Sequence, residues 1–155
     1  MGPHDIRSGQ AAQRLVERRF DDLDLLVIYI DGMLFGDYHV VSAVGVDAHG
    51  HKHVLGIQSG ATENAAAVED LLMQLVARGV KPEAKRLFVI DGAKALRAAI
   101  HRVFGPQHPV QRCRNHKIRN VCERLPDEQK DQVKAAMRAS YRLDAKEGMA
   151  RLKAC

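Results

Sequence analysis

The sequence predicts an α/β domain built on a mixed sheet, and three observations carry that expectation. Two short Val- and Ile-rich runs, Leu25–Ile30 and Leu87–Ile90, each stop at an Asp-Gly pair, so each reads as a buried strand with a carboxylate, Asp31 or Asp91, at its C-terminal end. Between them, residues 38–57 carry the alternation and central turn of a β-hairpin, followed by an amphipathic helical stretch. Beyond the second run, helical and extended segments alternate. The order is β-β-β-α-β-α-β followed by helices, the plan of a mixed sheet with helices packed on it.

Each element has its own signal. Residues 1–21 form a polar leader with Gly2, Pro3 and Gly9 near its start, expected to be either poorly ordered or a short helix over 13–20. Tyr38–Val46 is a strand, Asp47-Ala48-His49-Gly50 a turn with Asp and Gly in favoured positions, and His51–Ile57 the returning strand. A helix starts near Thr62, with Thr62 or Ser59 as the candidate cap and Glu63 in the first turn, where the helix dipole favours an acid. Val68, Leu71, Leu72, Leu75 and Val76 fall on one face of it, and Gly79 and Pro82 end it. This helix can make the right-handed crossover that sets strand 86–91 parallel to the first strand. Ala93–Phe104 is a further helix with Leu96, Ile100, Val103 and Phe104 on one side, closed by Gly105-Pro106. His108–Arg112 is a short strand. From Asn115 the pattern is helical and broken at Leu125-Pro126, with Asp127 and Asp144 as expected caps of two last helices.

Bulk composition excludes several classes. With 46% hydrophobic and 28% charged residues, the chain is not disordered throughout. No apolar run approaches the ~20 residues of a membrane span, and no signal-peptide core is present. Ile6 stands where a myristoylation motif needs Ser or Thr. Cys113, Cys122 and Cys155 lack the spacing of a disulfide framework and read as reduced thiols of a cytoplasmic protein. The formal charge of +5 tilts the chain toward polyanionic partners. No phosphate-binding glycine loop, dinucleotide fingerprint, nucleophile elbow or zinc-protease motif occurs.

Asp31 and Asp91 are the first candidates for chemistry. If their strands are parallel neighbours, both carboxylates face the edge of the sheet where ligands of open α/β folds bind. Two close carboxylates stay ionised when a hard divalent cation sits between them, and such ions support phosphodiester chemistry. The competing reading is that each Asp-Gly is only a turn.

Cys113 and His116 form a C-x-x-H, half of a tetrahedral zinc site. His108 and Cys122 are the nearby candidates for the other half, and neither completes a zinc pattern, so zinc is not expected. The plainer reading is a small thiol and a hydrogen-bonded imidazole at a strand-to-helix junction. Arg112, Arg114, Lys117, Arg119 and Arg124 make the densest basic stretch, opposed only by Glu123, beside an apolar face of Ile118, Val121, Cys122 and Leu125. It serves either as a solvated helix face or as a phosphate contact. His49, His51 and His53 are taken as incidental polar positions of the hairpin.

Taken in order, Asp31-Gly32, the stretch Gly45–Gly56, Gly60–Asn64, Arg78-Gly79, Phe88-Val89-Ile90-Asp91-Gly92-Ala93-Lys94-Ala95-Leu96 and Val110–Val121 resemble the Mutator-like transposases of bacterial insertion sequences. The similarity runs over about residues 20–155. It implies a ribonuclease-H-like catalytic domain with an acidic triad and Mg2+ or Mn2+, acting in DNA cleavage and strand transfer on insertion-sequence ends and target, and homo-oligomers in the intact family. By this resemblance Asp31 and Asp91 match the first two catalytic acids, and Cys113 and His116 match a C-x-x-H signature of unsettled role. Residues 22–125 then correspond to part of the catalytic domain and 126–155 to the start of a helical insertion. The family's third acid is a glutamate in a Thr-Asn-x-x-Glu-like stretch beyond that insertion. Glu123, Glu128 and Glu147 stand too early and in another context. The expectation is a truncated copy with little or no strand transfer alone. Two alternatives stay open: a catalytically inactive DNA-binding or regulatory remnant, and a zinc-stabilised structural module.

Overall fold

A computed structural model of the chain describes residues 17–61 and 64–154. Its elements are β1 (Leu25–Phe35), β2 (Tyr38–Asp47), β3 (Lys52–Ser59), α1 (Ala65–Ala77), β4 (Leu87–Ile90), α2 (Lys94–Phe104), β5 (Val110–Arg112), α3 (Arg114–Cys122), α4 (Asp127–Ser140) and α5 (Ala145–Lys153). One five-stranded sheet has the order β3-β2-β1-β4-β5. β1–β2 and β2–β3 are antiparallel, whereas β1–β4 and β4–β5 are parallel. The fold is therefore the expected mixed α/β type with the expected element order, consistent with a ribonuclease-H-like plan. The residues group into two compact units, one ending at Arg112 and one beginning at Cys113.

In the first unit, alternation along the strands builds the core on one face of the sheet. Ile28 and Ile30 of β1 lie in register with Phe88 and Ile90 of β4, and all four are essentially inaccessible to solvent. Val68, Leu71, Leu72 and Leu75 of α1, with Leu96, Ile100 and Phe104 of α2, complete the same cluster. Phe20 joins it: its amide donates to the Arg78 carbonyl at 2.7 Å, and the Arg78 guanidinium lies 4.8 Å from its ring centre. The other face carries Tyr29, Val54 and Ile57, which stay 44–52% exposed. His108 is buried edge-on against Phe88 and Phe104, and its Nε2 sits 2.7 Å from the Pro82 carbonyl, so it is a core residue rather than a metal ligand.

Several boundaries differ from the sequence expectation for local reasons. β1 does not stop at Asp31. It continues to Phe35 and turns through Gly36, at φ +60°, and Asp37 into β2, so Phe35 pairs with Tyr38. The cap of α1 is Asn64, whose side chain accepts from the Ala67 amide. Ser59 is the last residue of β3, and Thr62 and Glu63 lie outside the described residues. Asp127 is the first helical residue of α4 behind Pro126 rather than its cap. Asp144 does cap α5, accepting from the amides of Lys146 and Glu147. Of the short helix expected over 13–20, residues 13–16 lie outside the described residues, and Arg18–Phe20 are not helical. Among the described residues no helix is long and apolar enough to cross a membrane.

Candidate functional site

The parallel pairing of β1 with β4 runs in register from Val27–Leu87 to Ile30–Ile90. Asp31 and Asp91 are the next residue on each strand, so the two acids directly follow the last paired residues of β1 and β4, Asp31 within β1 and Asp91 just past the end of β4. Neighbouring strands run about 4.8 Å apart, and residues in register on parallel strands share a face. Ile30 and Ile90 point into the core, so Asp31 falls in line with Tyr29 on the opposite face. Asp31 is half-buried and its Oδ1 is shielded from solvent, while the Ser42 hydroxyl donates to its main-chain carbonyl at 3.4 Å.

Asp91 sits in a tight turn between β4 and α2. Its Oδ1 accepts the Ala93 amide at 2.8 Å, which ties the carboxylate to the entry of α2, where the helix dipole favours negative charge. The Nε of Arg112, at the end of β5, donates to the Asp91 carbonyl at 3.1 Å. Gly92 has φ +111°, and a Cβ there would stand 2.6 Å from that Nε. Glycine at this position therefore does two things: it reaches a φ that other residues avoid, and it leaves room for the guanidinium beside the acid. Gly32, by contrast, is an ordinary strand residue opposite Val41.

The remaining predicted residues belong to the second unit. Cys113 occupies the N-cap position of α3 without a side-chain cap bond, and His116 is half-buried one turn on. Among the described residues no group of three or more His, Cys, Asp or Glu is placed to hold a metal ion. Lys117, Arg119 and Arg124 are exposed. Arg114 lies over the Tyr141 ring and donates to the Tyr141 carbonyl at 3.1 Å, so α4 partly fixes it. Arg119 approaches Glu123 at 3.9 Å, a loose exposed pair.

The hairpin histidines are less incidental than the sequence suggests. Asp47, only 9% exposed, accepts from the amides of His49 and His51, each at 2.9 Å, and from His53 Nε2 at 2.8 Å. Arg18 donates to His53 Nδ1 at 2.9 Å, so the proton of His53 is on Nε2 and faces Asp47. The bond from His53, followed by the backbone amides of His51 and His49, holds the Asp47 carboxyl well below the usual carboxylate range. Alternation places His51 and His53 on one side of β3, but only the fold shows that Asp47 lies there to receive them.

The donor set at the sheet edge is hard oxygen, suited to Mg2+ or Mn2+ and not to a thiolate-selected metal. One oxygen of Asp91 is engaged at the helix entry.

A sequence profile described as Transposase, Mutator family, matches residues 13–155. Among curated proteins, the chain is 31% identical over 94 residues to the transposase for insertion sequence element IS1201 of Lactobacillus helveticus, covering 61% of this chain and 25% of that protein. It is 35% identical over 94 residues to the transposase for element IST2 of Acidithiobacillus ferrooxidans, covering 61% and 31%. It is 35% identical over 116 residues to the transposase for element ISRM5 of Rhizobium meliloti (strain 1021), covering 74% and 28%. The matched segment thus spans about a quarter to a third of the length of these relatives. Since the family profile covers nearly all of its residues, the chain belongs to the Mutator family of transposases.

Proposed function

We propose that this chain carries the first two metal-binding acids of an insertion-sequence transposase that cleaves and joins DNA. The observation that supports this most strongly is the placement of Asp31 and Asp91 one residue beyond the paired Ile30 and Ile90, at the same level of two adjacent parallel strands. Asp31 and Asp91 would hold Mg2+ or Mn2+, which when bound polarises a phosphodiester and lowers the pKa of an attacking water or hydroxyl. Asp91 is fixed through the Ala93 amide at the entry of α2. Arg112 brings a guanidinium beside the Asp91–Gly92 peptide, where it can pair with a phosphate oxygen of the DNA. Arg114, Lys117, Arg119 and Arg124 supply further phosphate contacts.

Within these 155 residues no glutamate stands in the context of the family's third acid. Metal and DNA binding are assigned to this chain. A regulatory role through DNA occupancy is the second reading, favoured by the basic run over 112–124. Incubation of the chain with Mn2+ and labelled insertion-sequence-end DNA tests the assignment. Any cleavage should fall at least about a hundredfold in Asp31→Asn and in Asp91→Asn, the order of loss expected when one electrostatic stabiliser is removed. Cleavage that survives either substitution would overturn the assigned roles.

A further inference from the structure

The charge of this chain is divided unevenly. Residues 1–112 hold thirteen Lys and Arg against thirteen Asp and Glu, whereas residues 113–155 hold eleven against six. The whole formal excess of +5 therefore lies in the helical second unit. Within that unit α3 and α4 enclose an open groove of about 500 Å3. Lys130, Lys134 and Arg138 line it from α4, and Asn115 and Arg119 from α3. The three cations of α4 are spaced four residues apart, so they form a single row with a step of about 6 Å.

Two acids, Glu123 and Asp131, also line the groove, leaving four cations against two carboxylates. Glu123 stands 3.9 Å from Arg119, and Lys130 is paired with Asp127 at 2.5 Å. Lys134 and Arg138 hold no ion pair among the described residues. A linear row of cations, two of them uncommitted, complements a ligand whose negative charges repeat along a line. It matches an isolated anion poorly.

We propose that the groove between α3 and α4 is a track for a nucleic-acid backbone, with Lys130, Lys134 and Arg138 contacting successive phosphates and Asn115 and Arg119 closing the opposite wall. This deepens the proposed function, since it rests on DNA being the partner. It adds a surface on α4 beyond the basic run of residues 112–124. The contacts are to phosphates, so they position the strand and carry no base preference.

The test is a DNA-binding titration of the full 155-residue chain by fluorescence anisotropy, in EDTA, at several NaCl concentrations. The triple variant Lys130→Gln/Lys134→Gln/Arg138→Gln should lower the slope of log K against log[NaCl] by about three, equally for unrelated DNA sequences. Lys81→Gln/Lys85→Gln, on the first unit, should leave the slope unchanged. A triple variant that is folded by circular dichroism yet keeps the wild-type slope overturns the proposal, as does absence of wild-type binding at low salt. Displacement of DNA by polyglutamate at equal charge concentration also overturns it, since an acidic protein would then be the occupant. The titration contains no free metal. Failure of the Asp31 and Asp91 assignment therefore leaves its result untouched, and the two readings can fail separately.

Discussion

The Arg112 guanidinium donates through Nε to the Asp91 main-chain carbonyl at 3.1 Å, joining the end of β5 to the turn that presents the second acid. This bond makes the geometry of the turn depend on a residue twenty-one positions away. Arg112→Lys keeps the charge but cannot reproduce the Nε donor. It should cost about 1 kcal/mol in equilibrium urea unfolding, the net worth of one hydrogen bond. Unchanged stability would show that the bond contributes nothing to the turn.

Gly92 is the companion of that bond. At φ +111°, with the Arg112 Nε where a Cβ would intrude at 2.6 Å, Gly92→Ala must both strain the backbone and push the guanidinium away. The expected loss is about 1–3 kcal/mol. The same urea experiment measures it, and a wild-type midpoint would contradict the crowding.

Asp47 gives the chain an acid-sensitive element. Its carboxyl is held below the usual range chiefly by His53, so the folded state binds fewer protons than the unfolded state once the unfolded carboxyl begins to titrate near pH 4. The stabilisation is therefore complete above that pH and is lost as the pH falls toward the depressed folded value. Thermal melts of wild type and Asp47→Asn should differ most at neutral pH and converge as the pH drops below about 4. A gap that stays constant with pH would remove Asp47 as its source.

The core face is fixed by one alternation. Ile90→Ala, fully buried in the core cluster that also holds residues of α1 and α2, should cost about 2–5 kcal/mol, whereas Ile57→Ala, 52% exposed on the other face, should stay within about 0.5 kcal/mol. Equal losses at the two positions would mean that both faces of the sheet are covered.

The parts of this architecture that show in the sequence are those set by local pattern. Ile30-Asp31-Gly32 and Ile90-Asp91-Gly92 mark two buried strands, and the helix between them can make the right-handed crossover that sets them parallel, as observed. The length of β1 is not read so easily, because the Asp-Gly at its middle resembles a stop. The signal was Gly36-Asp37 between Phe35 and Tyr38, a two-residue hairpin turn that extends the strand past the acid. The Asp47–His53–Arg18 chain joins residues 18, 47 and 53, which no periodicity links. The α1 cap falls on Asn64 rather than Ser59 because β3 runs on to Ser59, a length decided by its pairing with Val40. Nor does sequence alone show that the Arg112 side chain folds back on Asp91, since that requires β5 to lie beside β4.

The claim that matters most is that Asp31 and Asp91 share one cation. Calorimetric titration of Mn2+ into the wild-type chain, Asp31→Asn and Asp91→Asn measures it directly. The account predicts a single site in the wild type, weakened at least about tenfold by either substitution, since loss of a partner outside the ligand shell alone costs ~10–100-fold. Equal Mn2+ affinity in wild type and in either variant would contradict it.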